Sequence, residues 1–186
     1  MRTFSGLATT LCIACASPLA VTAQTTGQDS DIVFAEAMWT HMETRGLVGE
    51  NTVHTLPYQG TQPHGALLET FYFTTTIEGE DGVLVIKRNY GPADVTPDDV
   101  LSDALSHLGS VTVMFRRPGY DPEHQDWFYA KYLHDGTLDT NADGVALAGA
   151  PARGMVGQDP GAGCVACHAE AAGGDYLFTT DAFGHD

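Results

Sequence analysis

A chain of 186 residues with 43% hydrophobic and 9% aromatic side chains is long enough to close one domain around a sizeable core, and too apolar to be a disordered one. Its formal net charge of −16 argues against nucleic acid and anionic lipid as partners and favours a basic one. With Cys12, Cys15, Cys164 and Cys167 as the only cysteines, two of them in a segment expected to be removed, no disulfide framework is available.

Residues 1–23 read as a secretory signal: Arg2, an apolar run through Leu7, Leu11, Ile13 and Ala16, and small residues at Val21-Thr22-Ala23 before cleavage ahead of Gln24. The run is too short to span a membrane. A second processing pattern, Ile13-Ala14-Cys15, would leave a lipidated Cys15, although Cys12 stands where that signal usually has Leu. The expected organisation is therefore a signal peptide over 1–23, a leader and helix over 24–54, and one domain over 55–186.

Asp31 to Arg45 places Ile32, Phe34, Ala35, Met38, Trp39 and Met42 at helical spacing, and Gly46 and Gly49 stop it. Leu67 to Ile77, rich in aromatic and β-branched residues, predicts a strand; Asp81-Gly82 predicts a turn into a second strand over Val83 to Asn89. Thr96-Pro97-Asp98-Asp99 combines an N-cap, a first-turn proline and first-turn acids, with Val100, Leu101, Ala104, Leu105 and Leu108 as the apolar face of a short helix. Val111 to Arg116 and Asp126 to Leu133 complete the sheet across the turn Pro118 to Pro122, and His134 to Gly163 predicts a long loop. The fold class expected is α+β, an antiparallel β-sheet of about four or five strands packed with a few helices and ending in a C-terminal haem-binding helix.

That helix carries the chemistry. Cys164-Val165-Ala166-Cys167-His168 is a Cys-x-x-Cys-His run: two thiols on one helical turn match the two vinyl groups of a haem, and the adjacent imidazole offers a nitrogen to its iron. The cofactor expected is one covalent haem c, with Cys164, Cys167 and His168 as cofactor-binding residues and His168 as the metal ligand. A thioredoxin-like redox pair would want a βαβ setting, and a structural zinc would need further ligands; both stand as alternatives. Export suits the haem reading, because c-type cytochromes in general acquire their thioethers outside the bacterial cytoplasm, so the periplasm is the expected location. A sheet-rich chain with no Met after His168 matches neither small helical cytochromes c nor four-helix cytochromes c′.

Pro63-His64-Gly65, Val85-Ile86-Lys87, Val111-Thr112-Val113-Met114, Gly119-Tyr120-Asp121-Pro122-Glu123, Asp126-Trp127-Phe128 and the final motif with Asp175-Tyr176 together resemble the cytochrome P-460 / cytochrome c′-beta family, over about residues 55 to 180. The resemblance implies a β-sheet sandwiched with helices, His168 as proximal ligand, and a distal side open to small nitrogenous molecules. Cytochromes P-460 bond a strand lysine to the porphyrin and oxidise hydroxylamine; Lys87 matches that lysine. Cytochromes c′-beta lack the bond and bind nitric oxide beside a cap of Phe side chains. The scaffold alone does not choose between them.

The chain departs from the P-460 branch on the distal side. Rough alignment puts Glu69 where that branch has an arginine, and no counterpart to its later carboxylate is evident near Ser110 to Val113. Glu69, Phe71 and Phe73 alternate onto one face of their strand, so Glu69 stands as a candidate proton acceptor from hydroxylamine beside an aromatic cap, against the alternative of an exposed sheet margin. Lys87 and Glu69 are thus the candidate catalytic residues. Met114, His64 and His107 are the candidate sixth ligands that would instead make a six-coordinate electron carrier, and a nitric oxide binder without turnover is the third reading. The expected partners are a nitrogenous small molecule (hydroxylamine or nitric oxide), a redox protein with a basic surface, and a second copy of the chain in a homodimer. Asp139-Thr140-Asn141-Ala142-Asp143-Gly144 matches the first half of a calcium loop, but Ala150 stands where the bidentate Glu belongs.

Overall fold

A computed structural model describes residues 26–150 and 163–178, so the signal and lipidation readings of 1–23 lie outside the described residues. The helix α1 (Asp29–Thr44) is followed by β1 (Tyr58–Gln59), β2 (Leu67–Ile77), β3 (Glu80–Tyr90), α2 (Pro97–Ser102), α3 (Ala104–His107), β4 (Leu108–Arg116), a single 3₁₀ turn at Pro122–His124, β5 (Trp127–Tyr132), β6 (Ala148–Gly149) and α4 (Cys164–His168). The six strands form one antiparallel sheet in chain order, β1-β2-β3-β4-β5-β6. The α+β class holds, with more strands than expected; β1 and β6 have two residues each, too few to show alternation.

The β2–β3 hairpin turns at Glu78 and Gly79, both at positive φ (49° and 82°), not at Asp81-Gly82. Two consecutive left-handed residues match the twist of the flanking strands, and Gly79 supplies the second without strain. Gly82 lies inside β3 for a different reason: a Cβ there would stand 2.1 Å from the Arg116 carbonyl and 2.7 Å from the Phe115 ring, so β4 could not come this close to any other residue.

Alternation then separates two faces. On one, Phe71, Phe73, Leu84, Ile86, Val111, Val113, Phe115, Phe128, Ala130 and Tyr132 pack against Phe34, Ala35, Met38 and Met42 of α1, and the Tyr132 hydroxyl donates to the Ala35 carbonyl at 2.7 Å. The helix of the 24–54 segment therefore contributes to the same core as the sheet. The expected helix after Thr96 breaks at Asp103 into α2 and α3; the capping box between Thr96 and Asp99 forms, but only Val100 of its apolar residues is buried. The loop 134–163 begins with the bridges Tyr132–Leu138 and Thr140–Ala146 before β6. Among the described residues no helix is long and apolar enough to cross a membrane.

Candidate functional site

The opposite face of the sheet receives α4. Val85, Met114, Trp127 and Tyr129 project from β3, β4 and β5 to pack against Val165, with Val83, Cys164, Tyr176 and Leu177 around them. Five residues make little helix by themselves, so this apolar contact is what holds the Cys-x-x-Cys-His turn in place. The Trp127 indole N–H donates to the Asp175 carbonyl at 3.2 Å and the Gln125 amide to the Gly174 carbonyl at 2.6 Å, tying the segment after the motif to the start of β5.

His168 is buried on this face at 7% exposure. Its Nδ1 lies 2.7 Å from the Tyr176 carbonyl, which only accepts, so Nδ1 carries the proton and Nε2 keeps its lone pair. A ring nitrogen fixed in this way by a backbone carbonyl is the usual arrangement behind a metal-binding imidazole. Burial, the largest cause, lowers the imidazole pKa to about 4, which keeps the ring neutral and able to ligate. The rings of Tyr129 and Phe178 stand 5.8 Å and 5.6 Å from that of His168.

Cys164 and Cys167 are both free thiols. Burial pushes the Cys164 thiol up to about 11, the opposite of what a reactive redox pair needs, and no strand–helix–strand crossover exists among the described residues. Among those residues, too, no group of three or more His, Cys, Asp or Glu side chains is placed to hold a metal ion.

Lys87 projects to the α4 face and is buried at 8% exposure. Among the described residues its ammonium has no carboxylate partner, and burial lowers its pKa, opposed by the nearby Cys167. Arg88, one residue on, points the other way: Nε donates to the Leu47 carbonyl at 3.1 Å, Nη2 to the Val53 carbonyl at 2.6 Å, and Nη1 to Glu69 at 3.0 Å.

Glu69 is therefore not beside the motif. It sits directly across from Arg88 in the β2–β3 register, fully buried on the α1 face, accepting also from the Tyr90 hydroxyl and from the Thr55 N–H at 2.6 Å, with His54 Nδ1 at 3.3 Å. The alternation that groups Glu69 with Phe71 and Phe73 is right, but the face they share is the one under α1, so the roles of proton acceptor and aromatic cap are both corrected: Glu69 is the counter-ion of a buried guanidinium, and Phe71 lies 4.7 Å beneath that guanidinium. Periodicity assigns residues to a common face without saying which face a distant helix will cover.

Of the candidate sixth ligands, His64 stands against the motif, its ring edge-on to His168 at 6.3 Å between centroids. Met114 packs against Val165, and His107 is engaged with the Gly91 carbonyl at 3.3 Å. The Asp139–Gly144 segment is a polar turn: Asn141 Oδ1 accepts from the N–H groups of Asp143 and Val145, and Asp139 is ion-paired with Lys131 at 2.8 Å.

The residues of the α4 face fit a haem. Two free thiols and an oriented imidazole share one helical turn, and among the described residues neither the buried Lys87 ammonium nor the buried Tyr129 hydroxyl has a partner. A buried hydroxyl without a partner is costly, and a polar-edged group lying over this face would relieve it. Comparison of the chain with protein-family models, with curated proteins and with solved structures gives no match in any of the three.

Proposed function

We propose that this is an exported mono-haem protein in which Cys164 and Cys167 hold the cofactor by thioethers, His168 is the proximal ligand, and the open distal side takes hydroxylamine or nitric oxide, with oxidation of hydroxylamine as the reaction. The observation that carries the reading is the Nδ1–H of His168 held on the Tyr176 carbonyl, which presents Nε2 as a fixed donor beside two free thiols. Bound there, a haem would supply an exchangeable iron position and a route for electrons.

The chain's own contributions follow from position. Val85, Met114, Trp127 and Tyr129 exclude water from the side of the motif that faces the sheet. Lys87, on the same face with no carboxylate partner among the described residues, is the amine for a bond to the porphyrin edge, as the P-460 resemblance implies. Such a bond would replace a porphyrin C–H and an amine N–H with C–N, its two electrons and two protons passing to an oxidant of the peroxide class. The acidic surface suits a basic redox partner, and a homodimer is part of the same proposal.

Acidified-solvent extraction tests the core of the reading: haem should stay with the polypeptide, and its release would overturn the proposal. A second reading, a six-coordinate electron carrier, is favoured by the 6.3 Å approach of His64 to His168. A high-spin ferrous spectrum supports the open site, and a low-spin spectrum in both oxidation states supports the carrier.

A further inference from the structure

His64 is held by a hydrogen-bond chain whose direction is legible. Asn89 Nδ2 lies 3.2 Å from the Ser110 carbonyl, an oxygen that only accepts, so the amide nitrogen is on that side and Oδ1 is the atom 3.1 Å from His64 Nδ1. Nδ1 must then carry the proton, and the Thr112 hydroxyl at 3.4 Å lies on the same nitrogen. Among the described residues no hydrogen bond reaches Nε2. The ring is thus a fixed acceptor with its lone pair on the side away from Asn89, edge-on to His168 and on the face where Lys87 and Tyr129 also lack partners. No proton is available on Nε2 for donation in this tautomer.

We propose that His64 is the specificity-determining residue of the distal side, accepting a hydrogen bond from an N–H or O–H of the bound small molecule and so favouring protic ligands such as hydroxylamine over the aprotic diatomics nitric oxide and carbon monoxide. The inference rests on the haem reading above and deepens it. A neutral acceptor offers an aprotic diatomic nothing to pair with, whereas hydroxylamine has hydrogens on both heavy atoms. Asn89 is a positioning residue, because its amide alone dictates which ring nitrogen is bare.

The test uses the haem-loaded protein, with haem staining on a denaturing gel read first. Hydroxylamine is titrated anaerobically into the ferric form and carbon monoxide into the ferrous form, for wild type, His64→Leu, His64→Gln and Asn89→Leu. One hydrogen bond predicts about threefold to tenfold weaker hydroxylamine binding in His64→Leu, with carbon monoxide unchanged or tighter. His64→Gln retains an acceptor and should keep wild-type preference, and Asn89→Leu should lose part of it. Equal changes for both ligands, or none for hydroxylamine, overturn the proposal while leaving the haem reading intact. So does a low-spin wild type that becomes high-spin in His64→Leu, which makes His64 an iron ligand. Absence of covalent haem overturns both.

Discussion

Lys87 and Arg88 are consecutive, both buried, and end on opposite sides of one sheet, yet among the described residues only Arg88 of the two meets a carboxylate. Burying a cation without an anion is costly, and the cost is tolerated where another group compensates or where the amine has chemistry to perform. Peptide mapping of the mature protein should find the Lys87 peptide joined to a haem peptide containing Cys164 to His168. Lys87→Ala should keep the thioethers, shift the absorption bands and abolish hydroxylamine turnover. A free Lys87 peptide in fully matured protein would move the function to nitric oxide binding.

The Glu69–Arg88 pair is scaffold. Glu69→Ala leaves the guanidinium uncompensated and should destabilise the domain by about 3–5 kcal/mol in denaturant melts. The haem spectrum of the folded fraction should not move. A shifted spectrum at wild-type stability would return Glu69 to the site.

Attachment through two thioethers is tested residue by residue. Cys164→Ala and Cys167→Ala should each leave one bond, and the double variant should give a haem that acidified solvent extracts. Thermal stability should fall together with occupancy, since a group bound only by the native state stabilises it. Unchanged retention of haem in the double variant would place the attachment elsewhere.

Asp31 provides a pH test away from the motif. Burial raises its pKa from the ordinary 3.8, opposed by a hydrogen bond from Tyr120 and by the charge of Arg117. A raised folded-state pKa means a contribution fully present below the ordinary value and lost as pH rises through the folded one. Asp31→Asn should therefore melt higher than wild type at neutral pH, with the difference closing below about pH 4. A variant less stable at neutral pH would show that the Arg117 attraction outweighs desolvation.

Much of this architecture could be read from residue order. Leu67 to Ile77 is a strand over its whole predicted length because eleven residues of aromatic and β-branched character leave no competing pattern. The turn lies at Glu78 and Gly79 although Asp-Gly at 81–82 is the stronger hairpin signal, and what overrules it is the close approach of Arg116 and Phe115, which needs glycine at Gly82 inside the strand. Gly82→Ala should accordingly cost about 1–3 kcal/mol by overpacking, measurable by thermal melts. At the site, the Cys-x-x-Cys-His spacing is local and therefore legible, as is the alternation that separates Lys87 from Arg88. The His64–Asn89–Ser110 chain joins three segments far apart in sequence, and a lone histidine before a strand gives no sign of it. The place of Glu69 is hidden for the same kind of reason, since the Leu47 and Val53 carbonyls that share its arginine are invisible to periodicity.

Strand order that follows chain order has a consequence for assembly. Each strand pairs with the one made just before it, so loop closures are short and the sheet can form early, without waiting for distant sequence. The Cys-x-x-Cys-His turn comes after all six strands in the chain and packs onto a surface built from β3, β4 and β5. Before that packing forms, neither thiol has the sheet to shelter it. Packing shelters Cys164 in part and leaves Cys167 exposed, so the two positions of one motif differ in how far the folded sheet protects them.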